Sequence, residues 1–241
     1  DAAIAKKYKT YWDTLKDNPA LGVLSKVSEA IQPDTDLSKL ADGTYVFFSP
    51  RNLPHPKGTT PPQLLRYVSL IDKAQELVCM IFPFNYDEVF KKVYDKDKSY
   101  LRLLIFEKSE QAKVAKSNAD NDVDLKVNGG AILKSPVEEF VREVSAKQTV
   151  KGGILFVHNK FIIVDPLGDN PAVLSGSANF SGASITGNDE NSVFIKGDAR
   201  VADIYLTEFN RMFEHFWPRY LKILNDAKSK SKQVNKGFES P

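Results

Sequence analysis

The chain has 241 residues, 42% hydrophobic and 27% charged, with 33 basic and 31 acidic side chains and a formal charge of +2. This is the composition of a globular protein with one substantial core, and the near balance of charge excludes a uniformly basic, polyanion-coating surface. The single cysteine, Cys79, excludes an internal disulfide, and no apolar run approaches the ~20 residues that cross a bilayer.

Ile4, Tyr8, Tyr11, Trp12 and Leu15 recur at helical spacing and predict an amphipathic helix over residues 2–16. A proline-containing linker is expected over 21–41. Residues 44–49 form a β-rich run, and 52–62 a loop with four prolines. A helix is expected over 63–74, a buried strand around Cys79 over 76–82, a helix over 87–94 and a strand over 101–106. Residues 120–124 (DNDVD) read as an exposed acidic turn, since their spacing does not fit a calcium-binding EF-hand loop. Strands are expected over 154–164, 172–175 and 191–196. Asp198 opens a helix to about residue 216, with Val201, Tyr205, Phe209, Met212, Phe213 and Phe216 on its buried stripe. The basic tail from 218 to 241 is expected to be a frayed helix end or linker rather than a binding patch. Strands interleaved with helices argue for an α/β fold with a largely covered sheet.

Residues 1–15 echo residues 198–212. Asp1, Ala2, Ala5, Tyr8 and Thr10 align with Asp198, Ala199, Ala202, Tyr205 and Thr207. Two amphipathic helices can agree by chance. Alternatively the first 20 residues are the terminal helix of a preceding copy of a unit of roughly 200 residues.

The chemistry concentrates between 158 and 191. In FVHNKFIIVD, strand alternation puts His158 and Lys160 on one face and Asp165 on the other. An imidazole that can attack phosphorus, beside a fixed ammonium, makes a compact phosphate site. Gly176 permits close backbone approach, and Ser177 and Asn179 offer a hydroxyl and an amide to phosphate oxygens. Glu190 can hold a histidine in its reactive tautomer. Each alone has a plainer reading: surface side chains for His158, Lys160 and Glu190, a turn or cap for the GSAN stretch.

Taken in order, H-x-K-x4-D and G-S-x-N resemble the signature of the phospholipase D superfamily, with His158, Lys160, Asp165, Gly176, Ser177 and Asn179 at its positions. The Glu190-Asn191 pair looks like the family's downstream glutamate, and the likeness spans about residues 42–217. The resemblance implies an α-β-α sandwich around a mixed sheet, with two such motifs meeting at one site, from two repeats or two subunits. One histidine becomes a phosphohistidine and the other protonates the leaving group. His158 would be the nucleophile or the acid, Lys160, Ser177 and Asn179 would bind phosphate, Glu190 would orient His158, and Asp165 would be structural. No cofactor or metal is implied. The remaining histidines, His55 and His215, stand apart from any second HxK and make poor partners.

The continuation NFSGAS after the motif is similar to the nuclease branch, since lipid-acting and cardiolipin-synthase members more often carry an arginine that is absent here. The expected function is a metal-independent, nuclease-like phosphodiesterase. The alternatives are a lipid phosphodiesterase or phosphatidyltransferase, and a half-site inactive without its partner half. The expected partners are a phosphodiester substrate and a second motif-bearing half. With no leader at Asp1 the cytoplasm is the expected compartment, although the absence of an initiating Met points to processing.

Overall fold

The computed structural model describes residues 1–33, 35–52, 54–83, 85–94, 98–107, 111–113, 115, 124–129 and 157–237. Among them, seven strands form one mixed sheet: β1 (Gly43–Phe48), β2 (Leu77–Phe82), β3 (Leu101–Phe106), β4 (Leu125–Gly129), β5 (Phe161–Val164), β6 (Ala172–Gly176) and β7 (Asn191–Lys196). The order is β1-β7-β6-β5-β2-β3-β4. The β2–β3 and β3–β4 pairs are parallel and the other four antiparallel.

Every residue of β2 is buried, because both sheet faces are covered. Val78, Met80 and Phe82 face one layer, which holds α3 (Pro62–Asp72) and two 3-10 segments, Leu37–Lys39 and Glu88–Tyr94. Leu77, Cys79 and Ile81 face the other, where α5 (Ala199–Gly237) lies, and a short α4 (Gly182–Thr186) stands between β6 and β7 in the chain. Burial pushes the Cys79 thiol up to about 12, so it acts as a small hydrophobe. Beside α5, on the same face by register, α1 (Ala2–Leu15) and α2 (Leu21–Ile31) cover Val46 and Phe48 of β1. The architecture is the expected α-β-α sandwich.

Several local expectations change. Residues 21–41 are not a bare linker, since α2 buries Leu24, Ser25 and Ser28 there. Its anchor is Arg51, 1% exposed, which donates from Nη2 to Ser28 O (3.0 Å) and Gln32 O (2.7 Å) and from Nε to Phe48 O (2.9 Å). An arginine from the loop after β1 thus satisfies carbonyls that a helix end leaves open. Residues 88–94 are 3-10 rather than α-helical. The strand expected over 154–164 is confined to Phe161–Val164, with 157–160 outside the ladder and 154–156 outside the described residues. Of the acidic turn, 120–123 also lie outside them. The last helix does not stop near 216 but continues past Pro218 to Gly237.

The echo between residues 1–15 and 198–212 has a structural counterpart. Asp1 caps α1 by accepting from Ile4 N (3.2 Å), and Asp198 accepts from Val201 N (3.0 Å) at the start of α5. Tyr8 meets Phe48 edge-on at 5.0 Å and 85°, and Tyr205 meets Phe161 at 5.3 Å and 84°.

Asp165 follows β5 in a left-handed conformation, φ 47°, which a short polar side chain tolerates. Its carboxylate accepts from the backbone N–H groups of Gln75 (2.9 Å), Glu76 (2.9 Å) and Leu77 (3.0 Å), while its own N–H donates to Leu77 O (2.8 Å). It therefore clasps the turn before β2 to the exit of β5. Asp165→Asn keeps the left-handed preference but loses the charge and one acceptor. The expected cost is about 2–4 kcal/mol in a denaturant melt.

Candidate active site

The antiparallel run β1-β7-β6-β5-β2 brings chain ends together at one edge of the sheet. There β1, β6, β2 and β3 finish and β5 and β7 begin. His158 and Lys160 precede β5, Gly176–Asn179 leave β6, Glu190 and Asn191 enter β7, and Glu107 follows β3. Asp165 lies at the opposite end of β5, so the structure separates it from this group.

His158 and Lys160 do not stand side by side on a strand. His158 is exposed, whereas Lys160 is 7% exposed and folds back to donate from Nζ to His158 O at 2.7 Å. The physical reason is that the segment has left the ladder, so strand alternation no longer sets its side-chain directions. Burial lowers the Lys160 pKa below the ordinary lysine value, and the carboxylates of Glu107 and Glu190 oppose that shift.

Gly176 is required by contact. A Cβ there would lie 2.2 Å from Asn191 O and 2.7 Å from Ser192 Cα. Just beyond, Ser177 N donates to Asn191 O (3.0 Å) and Asn191 N donates to Ser177 Oγ (3.1 Å). The Ser177 hydroxyl thus ties β6 to β7 at the edge, in addition to any role toward substrate. Asn179 is half-buried, and its buried Oδ1 has no hydrogen-bond partner among the described residues. Such an orphan costs free energy until a donor meets it. Glu190 accepts from Asn188 Nδ2 at Oε1 (3.2 Å), and its backbone O accepts from Ser49 N (2.8 Å).

The sequence reading missed two contributors. Glu107, 2% exposed, donates from its N–H to Phe82 O (2.9 Å) and places a carboxylate beside Lys160. The only signal for it was a lone acid directly after a buried strand. The other is α1. Tyr8 OH donates to Asn191 Oδ1 (3.2 Å), and Tyr11 OH donates to Ser49 O (2.6 Å). The Tyr11 phenol is pushed up to about 12, by burial first and then by Asp189 and Glu190.

His215 does not stand apart as expected. A cleft of about 290 Å³ opens between the His158 segment and α5, lined on its polar side by His158, Asn159, Arg211 and His215 and on its apolar side by Val157, Met212 and Phe216. Among the described residues no group of three or more His, Cys, Asp and Glu side chains is arranged to hold a metal ion. Nor is any helix among them long and apolar enough to cross a membrane.

A three-layer α/β domain thus gathers an imidazole, a buried ammonium, a carboxamide and carboxylates at one sheet edge. The chain belongs to the phospholipase D-like superfamily, for the family described as "Cardiolipin synthase, PLD-like domain" matches residues 67–213. Three solved structures are similar. Nuc from Salmonella typhimurium, a phospholipase D family member, is 20% identical with a TM-score of 0.45, over 74% of this chain and 96% of that one. NucT from Helicobacter pylori is 17% identical with a TM-score of 0.47, over 72% and 97%. TrmBL2, an archaeal chromatin protein described with a novel mode of DNA binding, is 15% identical with a TM-score of 0.43, over 88% and 65%. No curated protein matches the sequence.

Proposed function

We propose that the chain is a metal-independent phosphodiesterase that works through a phosphohistidine on His158 and acts on nucleic acid. The observation that carries the reading is the convergence at one sheet edge of the segments bearing His158, Lys160, Gly176–Asn179 and Glu190. An imidazole nitrogen of His158 forms a bond to phosphorus as the bond from phosphorus to the leaving oxygen breaks. A second imidazole protonates that oxygen, and water then cleaves the phosphohistidine. Lys160 and the Asn179 amide neutralise and position the phosphate, which is most of what phosphoryl transfer asks of a protein. Glu190 orients His158. The second motif-bearing half comes from a preceding repeat or a second copy, and the shared capping and ring contacts of α1 and α5 support the repeat.

The expected result is turnover of an aryl phosphodiester and of single-stranded DNA in the presence of EDTA. Activity lost to EDTA and restored by magnesium would overturn the mechanism. The family description leaves a lipid reading in play, and the same assay on phosphatidylcholine vesicles separates the two. Release of phosphatidic acid without strand cleavage would favour it.

Glu190→Gln is expected to lower kcat by about 100-fold with little change in melting temperature, since it removes a charge at the site rather than core packing. Asp165→Asn is expected to lose stability first. Equal losses of activity at unchanged melting temperature in both variants would contradict this division of roles.

A further inference from the structure

Beside His158 the cleft carries groups that the reaction itself does not use. Its lining combines the polar His158, Asn159, Arg211 and His215 with the apolar Val157, Met212 and Phe216. The Phe216 ring meets the His215 ring edge-on at 4.9 Å. Arg211 is exposed and held in place by Glu208, with hydrogen bonds of 2.8 and 2.6 Å. At about 290 Å³ the cleft falls just below the usual range of small-molecule pockets, about 300–1,000 Å³. It suits one phosphate and its attached ring better than a pair of acyl chains.

The cleft does not end at His215. At about 100° per residue, Arg211, His215, Arg219 and Lys222 fall on one stripe of α5. From Arg211 to Lys222 the stripe runs about 17 Å at ~1.5 Å per residue. From residue 208 to residue 222 the acid on this stripe is Glu208, which is paired with Arg211. The whole chain carries only +2, so a positive row of this length is a local feature, and it starts beside the catalytic histidine.

We infer that the cleft is a second phosphate subsite and that α5 is a track for a single-stranded nucleic acid, whose next phosphate meets Arg211 and His215 while one phosphate lies at His158. The inference rests on the phosphodiesterase reading and deepens it by naming a substrate with consecutive phosphates. A single diester lipid offers nothing for the stripe to hold. A polyanion gains a counterion-release term from each cation it engages, and a base gains an aromatic edge at Phe216.

The test is fluorescence anisotropy on the full chain with labelled single-stranded DNA of about 20 nucleotides over a salt series. Arg211→Gln with His215→Gln is expected to weaken binding about tenfold or more and to lower the salt slope by about one or more. Glu208→Gln, which frees Arg211 from its neutralising partner, is expected to tighten binding by about threefold, an effect that loss of structure cannot mimic. Wild-type binding with an unchanged constant and slope in the double variant would overturn the track and leave the phosphodiesterase reading standing. So would turnover of an aryl phosphodiester without strand binding, or firmer retention on phosphatidylglycerol vesicles than on the strand. Absence of strand binding in the wild type would overturn the track, and absence of turnover as well, in a chain that light scattering shows to be paired, would overturn both.

Discussion

Lys160→Met is expected to cut turnover of an aryl phosphodiester about 1,000-fold while the melting temperature at neutral pH holds or rises. The large catalytic loss follows from removing a preorganised cation in a low-dielectric setting, where one such donor is worth about 100- to 1,000-fold. The stability half follows from linkage. Burial lowers the Lys160 pKa below its ordinary value despite the help of Glu107 and Glu190. Between the lowered folded value and the ordinary unfolded one, the folded chain binds fewer protons than the unfolded chain. Its stability therefore rises with pH through that window, and below the window the charged Lys160 is a net cost. Methionine fills a similar volume without the charge and removes the slope. Melting curves at neutral and alkaline pH, run beside the activity assay, check both halves. A melting temperature several degrees lower in the variant would mean that Lys160 is a structural brace instead.

Gly176→Ala is expected to cost about 3 kcal/mol and to slow whatever protein still folds. The added Cβ meets backbone atoms of Asn191 and Ser192, not the end of a flexible side chain, so the β6–β7 ladder must open. The same opening moves Ser177, which is tied to Asn191 on both its N–H and its hydroxyl, and with it Asn179. The control is Gly22→Ala in α2, where nothing lies within 4 Å of the new methyl group. There a gain of about 0.5–1 kcal/mol is expected, from helix propensity alone. Denaturant midpoints for the two variants should move in opposite directions. A Gly176→Ala protein as stable as wild type would mean that the close approach of the two strands relaxes freely.

Much of this architecture was legible in the sequence, and the misses have physical causes. The strand at 191–196 announces itself through β-branched and aromatic residues between polar ends and that at 101–106 through a short apolar run, and their bounds match. The strand Leu125–Gly129 reads LKVNG, too short and too turn-like to declare itself, and only its pairing with β3 makes it a strand. Helix α2 follows Pro19 and precedes Pro33, which look like linker punctuation. What stabilises it is Arg51, a partner 19 to 23 residues downstream that no local pattern reveals. The site shows the same division. Its motif residues are visible because their spacing is fixed by two neighbouring strands. The direction of Lys160 was misjudged because the strand begins only one residue later, at Phe161. Glu107 and His215 were passed over because they come from β3 and α5, brought to the edge by topology rather than by spacing.

The family match begins at Tyr67, inside α3, and ends at Phe213, inside α5. Yet Ser49 N–H holds Glu190 O, Arg51 N–H holds Ile185 O (2.7 Å), Tyr8 holds Asn191, and β1 supplies the outer partner of β7. All of these lie upstream of the matched span. Modularity therefore differs between sequence and structure in this protein. A piece excised at the matched boundaries would keep every signature residue, but β7 would become an open edge strand with Val193 uncovered, a template for unwanted pairing with other chains. The unit that must be inherited intact to pass on this site includes α1, α2 and β1, although none of them carries a residue of the motif.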